Sequence, residues 1–127
     1  RLTDIKNGAS QEWQAAGYEL QFDIDTVREK TYREPTWVHF GAGNIFRAFP
    51  AAILQDILDS GKYDRGVIVA EGFDYKIIDK AYTPYDNLSL LVLLQSDGSI
   101  RKKVIASVTE FETDPEFEND WARLVEI

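Results

Sequence analysis

A Gly-x-Gly pair set between a strand and a helix constrains this sequence more than any other feature. Thr36-Trp37-Val38-His39-Phe40 is a short β-favouring run that stops on Gly41, and Gly43 follows two residues later. From about Arg47 to Ser60 the spacing predicts a helix. Phe46, Phe49, Ile53 and Ile57 form one stripe of it, Leu54 and Leu58 lie beside them, and Gly61 is the left-handed C-cap. If that helix begins near Phe46 or Arg47, Pro50 falls in or next to its first turn, where proline costs little, and the preceding loop gains a residue or two. Val67-Ile68-Val69-Ala70 then reads as a second, buried strand. Residues 36–70 thus have the size and order of a βαβ unit, which requires a parallel sheet covered by helices. The expected fold class is α/β, a Rossmann-type parallel sheet with flanking helices and a β-hairpin, and an incomplete dinucleotide-binding domain.

The rest of the chain fits around that unit. Residues 1–34 read as a polar lead-in, with short helices over residues 10–16, stopped by Gly17, and over residues 25–31, started by Asp25. Glu34-Pro35 closes it, because the residue before proline disfavours helix. Residues 35–127 are then the N-terminal part of the dinucleotide-binding domain. A helix over residues 74–81 puts Ile77, Ile78 and Ala81 inward. Residues 88–95 and 100–108 read as two strands joined by Ser96-Asp97-Gly98-Ser99, a strong hairpin signal. Asp114 and Pro115 start a last helix with Phe117, Trp121, Leu124 and Val125 on its apolar face. No Gly, Asn or Pro closes that helix and no Met begins the chain, so a piece of a longer protein is expected.

Composition removes many chemistries. The 127 residues carry 14 Lys+Arg against 22 Asp+Glu, a net charge of −8, which argues against a general grip on nucleic acid or an anionic membrane. With no Cys there is no disulfide, thiolate metal site or Cys nucleophile, and one His excludes His-cluster metal sites. No apolar run is long enough to span a bilayer and no signal-peptide stretch opens the chain, so a cytoplasmic location is expected. His39 reads as a core or loop-supporting residue, the three Trp as packing residues, the acidic run over residues 110–120 as a solvated helix start, and Lys102-Lys103 as edge-strand charge.

The chemistry therefore concentrates on Gly41-Ala42-Gly43-Asn44-Ile45-Phe46-Arg47. In a dinucleotide site the first glycine permits the tight turn and the second lets a pyrophosphate approach the backbone, while free N–H groups of the helix start point at the anion. Phe46 stands where the third glycine of the full pattern belongs, and Arg47 offsets this with a positive charge near the phosphates. Glu71, directly after the second strand, is the expected acceptor for ribose hydroxyls, with Asp74 as backup. A carboxylate there repels a 2′-phosphate and favours NAD over NADP. The expected cofactor-binding set is Gly41, Ala42, Gly43, Asn44, Ile45, Phe46, Arg47 and Glu71. No catalytic residue and no metal ligand is assigned.

Residues 38–49 resemble the N-terminal fingerprint of the mannitol dehydrogenase family, which contains polyol dehydrogenases and hexuronate oxidoreductases of the D-mannonate (fructuronate) type. Gly41, Gly43 and Arg47 match the Gly-x-Gly-x-Phe-x-Arg-x-His pattern of its long-chain branch, whereas Ile45 and Phe49 depart from it. The mannitol-1-phosphate dehydrogenase branch is similar too, but has glycine at Phe46. The resemblance implies metal-independent hydride transfer between NAD(H) and a secondary alcohol or ketone of a sugar acid or sugar alcohol. It also implies a lysine acid/base within a Lys-x4-Asn-x2-His pattern in a C-terminal domain, a pattern absent here. The alternatives are the NAD domain of a mannitol-1-phosphate dehydrogenase, and a nucleotide-binding or interaction domain without turnover.

Overall fold

The computed structural model describes residues 1–6, 11–18, 20–112 and 118–127. After a single 3-10 turn, α1 (Gln11–Ala15) and α2 (Ile24–Arg33) precede β1 (Val38–Phe40). The helices α3 (Asn44–Ala48) and α4 (Pro50–Asp59) lead to β2 (Val67–Ala70), and α5 (Tyr75–Ala81) leads to the strands β3 (Ser89–Leu94) and β4 (Ile100–Ile105). The chain continues through β5 (Val108–Glu112) to α6 (Glu118–Glu126).

The three strands β1, β2 and β5 form one sheet in the order β1-β2-β5, every pair parallel. Val67, Ile68 and Val69 in the central strand are wholly buried, as a parallel strand covered on both faces should be, each contributing about 2 kcal/mol of burial. The expected α/β class with a parallel sheet and a hairpin is what the chain adopts. The strands β3 and β4 pair antiparallel from Ser89↔Ile105 to Leu94↔Ile100, around a turn with Gly98 at φ +82°.

One expected strand is in fact two. The run over residues 100–108 breaks after Ile105, and β5 leaves the hairpin to join the parallel sheet. Buried hydrogen bonds to α4 make the exchange feasible: the Ala106 N–H donates to Gln55 Oε1 (2.7 Å) and Ser107 Oγ donates to the Ala51 carbonyl (2.7 Å). Without those partners the chain could not turn inside the core, since unpaired buried backbone groups are costly. Lys103, expected to be mere edge charge, ion-pairs with Asp56 and donates to the Ala52 carbonyl, tying the hairpin to α4.

The helix expected over residues 47–60 also divides. It begins at Asn44, breaks at Phe49 and restarts with Pro50 at its first position, so the loop before it is not lengthened. The restart shifts the buried face: Ala51, Ala52, Leu54, Gln55 and Leu58 turn inward, whereas Phe49, Ile53 and Ile57 of the expected stripe are exposed. Small Ala side chains let α4 lie close to the sheet. Gly61 has the expected left-handed φ of +71°.

The helix α2 begins one residue ahead of expectation, because Asp23 rather than Asp25 caps it, its Oδ1 accepting the Thr26 N–H at 2.6 Å. This helix packs against β5 and places Val27 in the main core. Of the last helix, Asp114, Pro115 and Phe117 lie outside the described residues, as does the side chain of Trp121, while Val125 is exposed rather than inward. Among the acidic run, Glu110 is paired with Arg123 at 3.0 Å.

A charge cluster fastens the N-terminal segment. Asp86 accepts from Lys6 Nζ (2.5 Å) and Arg28 Nη1 (3.0 Å), and its carbonyl accepts from Arg28 Nη2 (2.5 Å). Burial raises the Asp86 pKa, but Lys6 and Arg28 outweigh it and hold the carboxyl below its ordinary value. A depressed carboxyl contributes stability that is present above its unfolded pKa and is lost as pH falls through the folded one. Asp86→Asn keeps the left-handed backbone (φ +53°) that Asn tolerates and removes only the charge. Its expected cost is about 1 kcal/mol at neutral pH, discounted for partial exposure, and the variant should converge with wild type in urea titrations as the pH falls through the depressed range of the Asp86 carboxyl.

Candidate dinucleotide site

The carboxyl ends of β1 and β2 lie side by side, with Phe40 paired to Ala70. Gly41 follows β1 at φ +103°, a region closed to most L residues, while its N–H donates to the Ala70 carbonyl at 2.8 Å. The chain then turns straight into α3, with Gly43 as N-cap and no side-chain cap bond. The opening amides of α3 therefore have no side-chain acceptor at the cap.

Glu71 is joined directly to this turn. Its Oε2 accepts the Ala42 N–H at 2.7 Å, and its Oε1 accepts the N–H groups of Phe73 (2.9 Å) and Asp74 (3.1 Å). Burial pushes its pKa up, but those backbone donors, joined by Gly72, outweigh it and the carboxyl sits below its usual range. Glu71 thus clasps the loops after both strands and stays ionised.

Below the turn, the Tyr82 hydroxyl donates to the Ala42 carbonyl at 2.8 Å, deep in the core, and burial raises its pKa far above that of a free phenol. Ala42 is therefore gripped at its N–H by Glu71 and at its carbonyl by Tyr82. Arg47 lies over the Tyr82 ring, 5.1 Å from its centroid, and donates to Asn44. Sequence reasoning missed Tyr82, and nothing local marks it, since its partner is 40 residues away.

The other expected residues divide by direction. Ile45 is 81% exposed beside the turn, whereas Phe46 is 5% exposed and stacks on His39 with centroids 4.2 Å apart. Phe46 fills the room between helix and strand, so a ligand can meet only its backbone. His39 has its pKa lowered by burial and acts as packing beneath Phe46. Asp74 caps α5 without a side-chain bond. Asn44 and Arg47 also line a cleft of about 530 Å³ with Lys80 and Leu90, a volume within the small-molecule range.

Two glycines here are not explained by the fold. A Cβ on Gly43 or on Gly72 would meet nothing within 4 Å, and neither has a left-handed φ. The other described glycines are accounted for by a positive φ or, at Gly66, by close packing.

No protein-family model matches the sequence. Over 106 residues, 84% of its length, the chain is 52% identical to the D-mannonate oxidoreductase of Thermotoga maritima. The chain is a relative of that oxidoreductase. The matched region makes up 20% of D-mannonate oxidoreductase, so the chain spans about a fifth of its relative's length. Among solved structures it is similar to a D-sorbitol dehydrogenase in substrate-free form, at 25% identity and a TM-score of 0.67, over 86% of this chain and 22% of that one. The resemblance read from residues 38–49 therefore extends over most of the chain, to a sugar-acid oxidoreductase and a polyol dehydrogenase.

Proposed function

We propose that residues 1–127 hold the nucleotide of a cytoplasmic NAD-dependent oxidoreductase that moves a hydride between NAD(H) and a sugar acid or sugar alcohol, of the D-mannonate/fructuronate kind. Gly43 carries this reading. At a helix N-cap Ser, Asp or Asn stabilises better than glycine, and a Cβ at residue 43 would meet nothing within 4 Å. Glycine instead keeps the amides of the turn open to an anion at van der Waals distance, which is what a pyrophosphate needs. The strand order β5-β2-β1 is that of one half of a Rossmann sheet, whose ligands lie outside the carboxyl ends of the strands.

Each expected residue then has a task. In the turn, Gly43, Asn44, Ile45 and Phe46 offer backbone donors to the phosphates, Gly41 and Ala42 shape the turn with their own N–H groups bonded to the Ala70 carbonyl and to Glu71, and Arg47 adds charge. Glu71 holds the turn and accepts a ribose hydroxyl. The nicotinamide supplies the hydride chemistry when bound. No residue of this chain is assigned to proton transfer, which belongs with the sugar substrate in the remainder of a protein as long as its relative.

Nucleotide choice tests Glu71. Wild type should bind NAD about tenfold more tightly than NADP in calorimetric titrations, because the ionised carboxylate repels a 2′-phosphate. Glu71→Gln removes the charge, keeps one oxygen for the Phe73 and Asp74 donors at the expense of the Ala42 N–H, and should bring the two affinities together. A ratio that stays unchanged would move the discriminating role to Asp74. Turnover is read on the full-length protein as loss of NADH absorbance with a hexuronate ketone.

A further inference from the structure

Phe73 is 94% exposed, the most exposed of the large apolar side chains among the described residues. Leaving it in water forgoes about 2 kcal/mol of burial. Its backbone is nonetheless firmly held. The Phe73 N–H donates to Glu71 Oε1 at 2.9 Å, the Asp74 N–H donates to the same oxygen at 3.1 Å, and the Tyr75 hydroxyl donates to the Gly72 carbonyl at 3.2 Å. The ring is therefore carried on a fixed loop and left in the open among the described residues. Beside it, Gly72 is a second glycine whose Cβ position is open space and whose φ needs no glycine.

The order of groups along the site is informative. One carboxylate, Glu71, bonds the Ala42 N–H of the phosphate turn through Oε2 and the Phe73 N–H through Oε1. Aromatic ring, ribose acceptor and phosphate turn thus follow one another in the order in which a nucleotide carries base, ribose and phosphate. Gly72 leaves the side of that path clear. An exposed ring binds a planar base by stacking, which alanine substitution typically weakens by about tenfold or more.

We propose that Phe73 is the stacking platform for the adenine base of the bound nucleotide, and that Gly72 is glycine to let the ribose pass. This inference rests on the nucleotide site proposed above. It assigns the adenosine half to the β2 side of the turn.

The test uses two probes on the full-length protein, ADP-ribose, which carries the base, and ribose 5-phosphate, which lacks it. Phe73→Ala should weaken ADP-ribose about tenfold and leave ribose 5-phosphate unchanged. Phe73→Trp should restore ADP-ribose affinity to within about threefold of wild type. Equal ADP-ribose affinity in wild type and Phe73→Ala would overturn the platform and leave the nucleotide site standing. An equal loss for both probes would also overturn it, because the side chain would then act on the loop and not on the base. Failure of wild type to bind ADP-ribose at all would overturn the site and the platform together.

Discussion

Gly43→Val should cost the protein at least about a hundredfold in NAD affinity while leaving it folded. The two halves of that result have separate causes. A Cβ at residue 43 meets no atom within 4 Å and the backbone is extended, so stability should change by less than about 1 kcal/mol, the scale of an N-cap exchange. The same open space is where the phosphates would lie. Valine's branched carbons there would displace two charge-assisted hydrogen bonds to backbone amides, together worth about 3 kcal/mol, or roughly a hundredfold in dissociation constant. Calorimetric titration with NAD, paired with a urea melt, measures both. An unchanged affinity would remove the turn as the phosphate site, whereas a large stability loss would mean that Gly43 serves the fold.

Gly66→Ala should act in the opposite sense, destabilising the protein without touching the site. A Cβ at residue 66 would lie 2.3 Å from Thr109 Cγ2 and 2.5 Å from the Ser107 carbonyl oxygen. The methyl group can rotate away, but the carbonyl cannot move. It accepts the Val67 N–H at 2.9 Å, while the Gly66 N–H is itself held by Thr31 Oγ1 at 2.8 Å in the core. The register slips between Val67 and Ile68 at this point, so β2 and β5 have no slack to absorb the intrusion. The expected cost is about 3 kcal/mol in urea unfolding, a large part of a typical domain's stability. Adding Thr109→Ser removes the methyl clash and should recover only part of it. A single-variant cost below about 0.5 kcal/mol would show that the strands can separate there.

These two glycines show which parts of the molecule could be read from the chain. The strands β1 and β2 were legible because short apolar runs end at Gly41 and Glu71, and the phosphate-type turn followed from local spacing. The start of β5 was not legible, because residues 104–108 continue the apolar character of the hairpin and only the buried partners of Ala106 and Ser107 mark the exchange. The inward face of α4 was misjudged for a related reason. Isoleucines spaced by four resemble a core stripe, but Pro50 restarts the helix and the small Ala51 and Ala52 choose the face. At the site, Glu71 could be placed at its strand end from sequence. Its bond to the Ala42 N–H and the support from Tyr82 are contacts between distant segments that no local pattern encodes.

The hairpin formed by β3 and β4 interrupts the crossover from β2 to β5, and this bears on how quickly the sheet can assemble. Parallel strands pair late because the chain between them must first be closed into a loop, and closure becomes costlier as that loop lengthens. A hairpin with an Asp-Gly turn forms locally within microseconds and brings Ser89 next to Ile105. The residues between them then no longer count towards the loop that β5 must close. Disrupting the turn at Gly98 should therefore slow folding more than it speeds unfolding, although the turn lies far from the sheet it helps to complete.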